Sequence, residues 1–248
     1  ISARTICARS VWAIPPPGLW RCLCRFHFRR RLRSNVSQRR RHRKCRRVCP
    51  THHPPCPRHT SSRLQIKGQT VSLPRELRTD RLLLRRWVPS DRGPFAQLNA
   101  DARVMEHFPS PLTRAESDGL VDRIEAHFER HGFGLWAVEA IDHAPFIGFV
   151  GLAVPPFEAH FTPCVEIGWR LATEFWGRGY ATEAARACVD LAFRQADMTE
   201  LVSMAVPQNV RSRQVMERLG MTHDPADDFD HPMLPDRRRH VLYRLDRK

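Results

Sequence analysis

Residues 74–248 predict an α/β (α+β) domain on a mostly antiparallel central sheet flanked by helices. Three observations carry that prediction. Short apolar runs bounded by turn residues alternate with longer stretches of helical period. Capping and stop residues stand at the ends of those stretches. The elements follow the order strand, two helices, three strands, then helix, strand, helix, strand, with no internal repeat.

Each element has a local reason. Arg81-Leu-Leu-Leu-Arg-Arg-Trp87 is an apolar run suited to a strand. Pro89-Ser90-Asp91 offers an N-cap for a helix running to about Ala100. Thr113-Arg-Ala-Glu116 is a capping box, and Leu120, Ile124 and Phe128 repeat after it at helical spacing. Gly134–Ala140 and Phe146–Val154 read as strands joined by the turn-forming Asp142-His143-Ala144-Pro145, and Val165–Leu171 as a third. A helix from about Ala181 to Arg194 precedes a strand near Leu201–Val206. Asn209 caps a further helix that stops at Leu219-Gly220, where glycine suits the left-handed C-terminal position. The last strand is His240–Leu245.

Charge divides the 248-residue chain unevenly. Residues 1–73 hold 18 of the 41 Lys and Arg and no acid; the remainder holds 23 bases and all 26 acids, a balance of −3. The whole chain is therefore not a basic nucleic-acid-binding fold. Six of the eight cysteines also fall in the first part, and only Cys164 and Cys188 lie later. Two cysteines form no disulfide framework, which points to a reduced, cytoplasmic domain. The longest apolar stretch of this domain, Phe146–Val154, is about half a membrane span, so no membrane is expected.

Residues 1–73 read as a disordered Arg/Pro/Cys-rich extension. An arm for nucleic acid or the ribosome would use its arginine clusters to neutralise phosphates. A transit peptide would share its Arg-rich, acid-free character. A zinc site would draw on Cys45, Cys49 and Cys56 with His52, His53 or His59, but C-x3-C-x6-C matches no strong zinc pattern. For residues 1–70 the favoured reading is sequence upstream of the true start. The first methionine is Met105, Arg greatly outnumbers Lys, and Val71 suits a GTG initiator.

The most informative stretch is Glu166-Ile-Gly-Trp-Arg-Leu-Ala-Thr-Glu-Phe-Trp176-Gly177-Arg178-Gly179-Tyr180-Ala181-Thr182-Glu183-Ala184. A strand feeds a glycine-rich turn that opens a helix, and the free N–H groups of such a helix start form an anion site. That predicts a phosphate or pyrophosphate. The dinucleotide fingerprint lacks its third glycine here, and no Lys-Ser/Thr pair completes a Walker motif.

This turn resembles the coenzyme A pyrophosphate loop of the GNAT acyltransferases, R/Q-x-x-G-x-G/A, with Trp176, Gly179 and Ala181 at its first, glycine and last positions. The tryptophan is a departure similar to the W-G-x-G-Y-A-T-E-A of RimJ/RimL-type N-acetyltransferases. Asn209-Val-Arg-Ser212, leading to Leu219-Gly220-Met221, resembles the family's N-x-x-S/A helix. Leu77–Arg85, Phe229-Asp-His-Pro232 and Arg239–Tyr243 also look like this group, so the resemblance covers roughly residues 77–247.

The resemblance implies a GNAT fold with a splayed strand pair holding coenzyme A, and acetyl-CoA as cosubstrate. Backbone groups of Trp169 and Leu171 would pair with pantetheine. The N–H groups of Gly177, Arg178, Gly179, Tyr180 and Ala181 would hold the pyrophosphate, with Trp176 and Thr182 in the same coenzyme loop. The Arg178 side chain would reach a phosphate or be solvated. Asn209 is a good N-cap and, by the resemblance, also a pantetheine ligand.

An amine must be neutral to attack a thioester, so a base has to take its proton. Glu166 is the candidate; its plain alternative is a strand carboxylate facing solvent or paired with arginine. The family's tyrosine acid falls on Met216 and is absent. Ser212 would stabilise the leaving thiolate or be a small packing residue. An N–H of the 169–171 strand would bind the oxyanion. Glu183 reads as structural, in the first turn of its helix. By the resemblance, Asp230 and His231 lie in a loop bordering the acceptor pocket, where they would contact substrate or, as is commoner for a loop histidine, be neither ligand nor catalyst. Trp87, Phe108, Phe133 and Trp136 are candidates to line that pocket, with most in the core.

The expected activity is acetyl transfer to an amine acceptor, a protein N-terminus or a small molecule, by a monomer or homodimer. The rival is a nucleic-acid- or ribosome-binding protein that uses residues 1–73, with the fold as a coenzyme A sensor.

Overall fold

The computed structural model describes residues 73–234, 236 and 238–248. The extension at 1–72, with its zinc, transit-peptide and nucleic-acid readings, lies outside the described residues. Strands β1 (Leu77–Arg78), β2 (Leu82–Arg85), β3 (Leu135–Ala140), β4 (Ala144–Ala153), β5 (Glu166–Leu171), β6 (Glu200–Ala205), β7 (Thr222–His223), β8 (Phe229–Asp230) and β9 (Arg239–Asp246) surround helices α1 (Arg92–Ala100), α2 (Arg114–His131), α3 (Tyr180–Arg194) and α4 (Val210–Arg218). The sheet runs β1-β2-β3-β4-β5-β6-β9-β7, and β8 pairs with β9. Every pairing is antiparallel except β5 with β6.

The capping box forms as the sequence predicts: the Thr113 side chain accepts from the Glu116 N–H, and the Glu116 carboxylate accepts from the Thr113 N–H at 2.8 Å. Leu120, Ile124 and Phe128 are buried along one stripe of α2. Asp91 behaves differently from expectation. It makes no cap bond to α1; its buried carboxylate takes both Arg85 Nη1 (2.8 Å) and Nη2 (2.9 Å) and, at the start of the preceding 3-10 turn, the Val88 N–H (2.9 Å). A charge-assisted bidentate pair outcompetes a single cap bond, so residues 89–91 form a 3-10 turn and α1 starts one residue later. The β3–β4 turn is also shorter than expected, because Ala144 and Pro145 already belong to β4.

Aromatic rings fill the core under α1: Trp87 lies edge-on to Phe95 at 4.8 Å, and Phe95 to Phe149 at 5.9 Å. Gly148 in β4 has φ +139, and a Cβ there would collide with the Arg170 carbonyl oxygen, so only glycine lets β4 and β5 close up. Among the described residues no helix is long and apolar enough to cross a membrane. Cys164 and Cys188 are buried free thiols.

Candidate active site

The parallel pair β5–β6 has a single register position, Glu166 against Val202, with the Val202 N–H donating to the Val165 carbonyl at 2.9 Å. Beyond it the strands diverge. A cleft of about 1130 Å³ opens there, lined by β5, the turn after it, the start of α3, and α4. Eleven of the twelve predicted site residues line it: Glu166, Trp169, Leu171, Trp176, Gly177, Gly179, Tyr180, Ala181, Thr182, Asn209 and Ser212. Arg178 is the exception. Its guanidinium lies 5.9 Å from the Phe175 ring, and its backbone carbonyl accepts from Arg81.

The turn is built for an anion. Gly177 and Gly179 adopt φ of 73 and 80, and open space lies where a Gly177 side chain would begin. No N–H from Gly177 to Thr182 donates to a protein acceptor among the described residues, and no side chain caps α3. Those free donors stand at the positive end of a fifteen-residue helix. Arg78, Arg81, Arg186, Arg211 and Arg218 add positive charge around the same cleft. The arrangement fits the pyrophosphate and further phosphate of coenzyme A. Sequence reading missed these arginines, since arginine at a short edge strand, in a turn or on a helix face normally signals only solvent contact.

The turn is braced from β1–β2. Glu183 accepts from Thr79 Oγ1 (2.6 Å), Arg81 N (3.1 Å) and Arg81 Nε (2.7 Å), while Arg81 Nη1 donates to the Arg178 carbonyl (3.1 Å). These bonds outweigh the cost of partly burying Glu183 and hold its carboxyl below the usual range. Its structural role matches expectation. Trp176 closes the turn on β5: its indole N–H donates to the Leu171 carbonyl at 2.8 Å. That bond takes one acceptor site of a carbonyl otherwise expected to meet pantetheine. The Arg211 guanidinium stacks 4.7 Å from the Trp176 ring.

Asn209 caps α4, its Oδ1 accepting from the Ser212 N–H at 3.1 Å, which leaves the amide NH2 turned to other partners. Met216 is wholly buried, in keeping with a missing tyrosine acid. The two tyrosines of the chain do not replace it on α4: the Tyr243 hydroxyl bonds Arg213 and Glu217, and Tyr180 starts α3. Glu166 is neither solvent-facing nor paired with arginine. It is 5 % exposed at the apex of the diverging strands, and burial pushes its carboxyl up to about 8.

Among the aromatic candidates, Phe108 lines the cleft, whereas Trp87, Phe133 and Trp136 are core. The expectation for the 230–231 loop needs correcting. His231 is fully buried beside Phe157 (4.6 Å) and His240 (5.0 Å), and burial lowers it to about 4; Asp230 faces solvent opposite Arg239. Neither lines the cleft, because β8 tucks the loop against β9. His240 and Ser203 line it instead.

A sheet split at one parallel pair, with an anion-binding turn at its open end, defines a coenzyme A-dependent acyltransferase architecture. The comparisons agree. A family model described as an acetyltransferase (GNAT) domain matches residues 81–222. YkkB of Bacillus subtilis is 31% identical over 147 residues, covering 59% of this chain and 84% of that protein. The crystal structure of an acetyltransferase from Agrobacterium tumefaciens is 31% identical with a TM-score of 0.59, covering 71% of this chain and 96% of that one. The FsC-acetyl coenzyme A-N(2)-transacetylase of Aspergillus fumigatus is 38% identical over 96 residues, 37% of this chain and 40% of that protein. The chain belongs to the GNAT acetyltransferase family. It is an acyltransferase, and acetyl-CoA is its acyl donor.

Proposed function

We propose that the chain is an N-acetyltransferase of the RimJ/RimL type, moving the acetyl group from acetyl-CoA to a primary amine by direct attack in a ternary complex. The observation that carries this is Glu166, a buried carboxyl at the apex of the diverging strands whose proton is held to about 8. A base of that strength suits removal of a proton from an ammonium group near neutral pH. The amine nitrogen forms the new bond to the acyl carbon, the carbon–sulfur bond breaks, and the amine proton passes through water to Glu166. Bound acetyl-CoA supplies the activated acyl group. The free N–H groups of Gly177 to Thr182 hold its pyrophosphate, the amide of Asn209 and the β5 backbone orient pantetheine, and the Ser212 hydroxyl donates to the departing thiolate. The N(2)-transacetylase relative supports a nitrogen acceptor. Two buried free thiols suit a cytoplasmic enzyme.

The test is thiol release from acetyl-CoA with a panel of primary amines, beside calorimetric binding of acetyl-CoA. Glu166→Gln should bind acetyl-CoA as the wild type does and transfer about a hundredfold more slowly. Equal rates would remove Glu166 as the base. Binding without thiol release to any amine would overturn the N-acetyl reading.

A further inference from the structure

Arg170 shares a face of β5 with Glu166, because the two positions are four apart on a strand. It lines the cleft, yet the residue is only 4 % exposed. Nη1 donates to Asn99 Oδ1 on α1 at 2.6 Å, and the guanidinium stacks 4.2 Å from the Phe108 ring. Nε and Nη2 are buried and bonded to nothing. Those two nitrogens present their N–H bonds side by side along one edge of the planar group, the edge that takes both oxygens of a carboxylate. Stacking on Phe108 covers a face of the guanidinium, and the in-plane Nε/Nη2 edge is left without a polar partner. No acid among the described residues compensates the charge, and burial alone brings the group down to about 9. A buried cation with an empty bidentate edge is costly unless an anion completes it.

We propose that Arg170 is the specificity residue of the acceptor site, its Nε/Nη2 edge binding a carboxylate carried by the amine that is acetylated. This rests on the N-acetyltransferase reading above. Placement adds a length requirement. The Cα atoms of Glu166 and Arg170 are about 13 Å apart at ordinary strand rise. The guanidinium lies 5.4 Å from the ring of Phe149, its register partner on β4. An acceptor that places its amine by Glu166 and its carboxylate by Arg170 holds them several bonds apart. A short peptide or an ω-amino acid meets that requirement; an α-amino acid, with both groups on one carbon, does not.

The experiment compares glycine oligomers from one to five residues with their C-terminal amides as acceptors for the full chain. The wild type should favour the free acid by about a hundredfold in kcat/KM at the fitting length and not for glycine itself. Arg170→Met should bring the acid-to-amide ratio near one, and Arg170→Lys, which keeps the charge without the fork, should fall between. Arg170→Met removes both the buried charge and the Nη1 bond to Asn99, so a cooperative thermal melt is recorded beside the kinetics to show that the variant is folded. A wild type indifferent to amidation at every length, or an unchanged ratio in Arg170→Met, overturns the proposal. N-acetyltriglycine binding, titrated with coenzyme A present, needs no turnover. If no amine is acetylated but that acid binds the wild type and not Arg170→Met, the N-acetyl reading fails and the carboxylate site stands; equal binding to both overturns the site.

Discussion

Burial alone raises the Glu166 carboxyl to about 8, and the sign of that shift fixes how activity answers pH. The base form is the ionised one, so kcat/KM should climb about tenfold per unit below that value and level off above it. Glu166→Gln should flatten that slope. Stability should move the other way. A carboxyl whose folded pKa exceeds its unfolded value stabilises the fold fully below the ordinary range, and that contribution is lost as pH rises through 8. Melting temperature should therefore drop from pH 5 to pH 9 more in the wild type than in Glu166→Gln; parallel curves would show that the site is wet. The position of Glu166 beside the diverging strands was legible in the sequence; its burial was not, because strand alternation leaves open whether a neighbouring loop covers the carboxylate. Arg170 was less legible still, since a lone arginine in a strand ordinarily meets solvent or an acid.

The glycine-rich turn before α3 could be read ahead because glycine, a missing cap and a helical repeat each leave a local mark. Its brace could not, since Thr79 and Arg81 meet Glu183 across about a hundred residues. Removing that brace with Glu183→Ala should cost about 1 kcal/mol of stability, as Arg81 is half exposed, and weaken acetyl-CoA several-fold. Denaturant melts with and without acetyl-CoA separate the two effects. A larger loss should follow Gly179→Val, because a β-branched residue resists φ +80 and would reshape the turn. Calorimetry should then find no acetyl-CoA binding in a folded protein, and retained affinity would move the phosphate site elsewhere. Strands β1, β7 and β8 escaped the sequence reading for a simple reason: two residues show no alternation.

At the scale of the whole chain, charge and chemistry separate. The −3 balance of residues 74–248 accompanies the cleft, and the +18 of the first 73 residues lies outside it in sequence. Deleting residues 1–72 should leave acetyl transfer in place and abolish any salt-sensitive RNA binding. Filter binding across a salt series checks this, and undiminished RNA binding would leave the basic segment without that role. The order of the major elements was legible because each long helix and strand carries its own period, whereas the divergence of β5 from β6, which belongs to no single segment, was expected only through the family resemblance. That divergence has a mechanical consequence. Strands β1 to β5 form one leaf and β6 to β9 another, and a single rung of the ladder hinges them. A coenzyme bound as proposed, between the leaves, would work as a clasp. Amide protons of both leaves near the opening should exchange more slowly as the donor saturates, so that an act of binding at the centre stiffens the molecule out to both margins of the sheet.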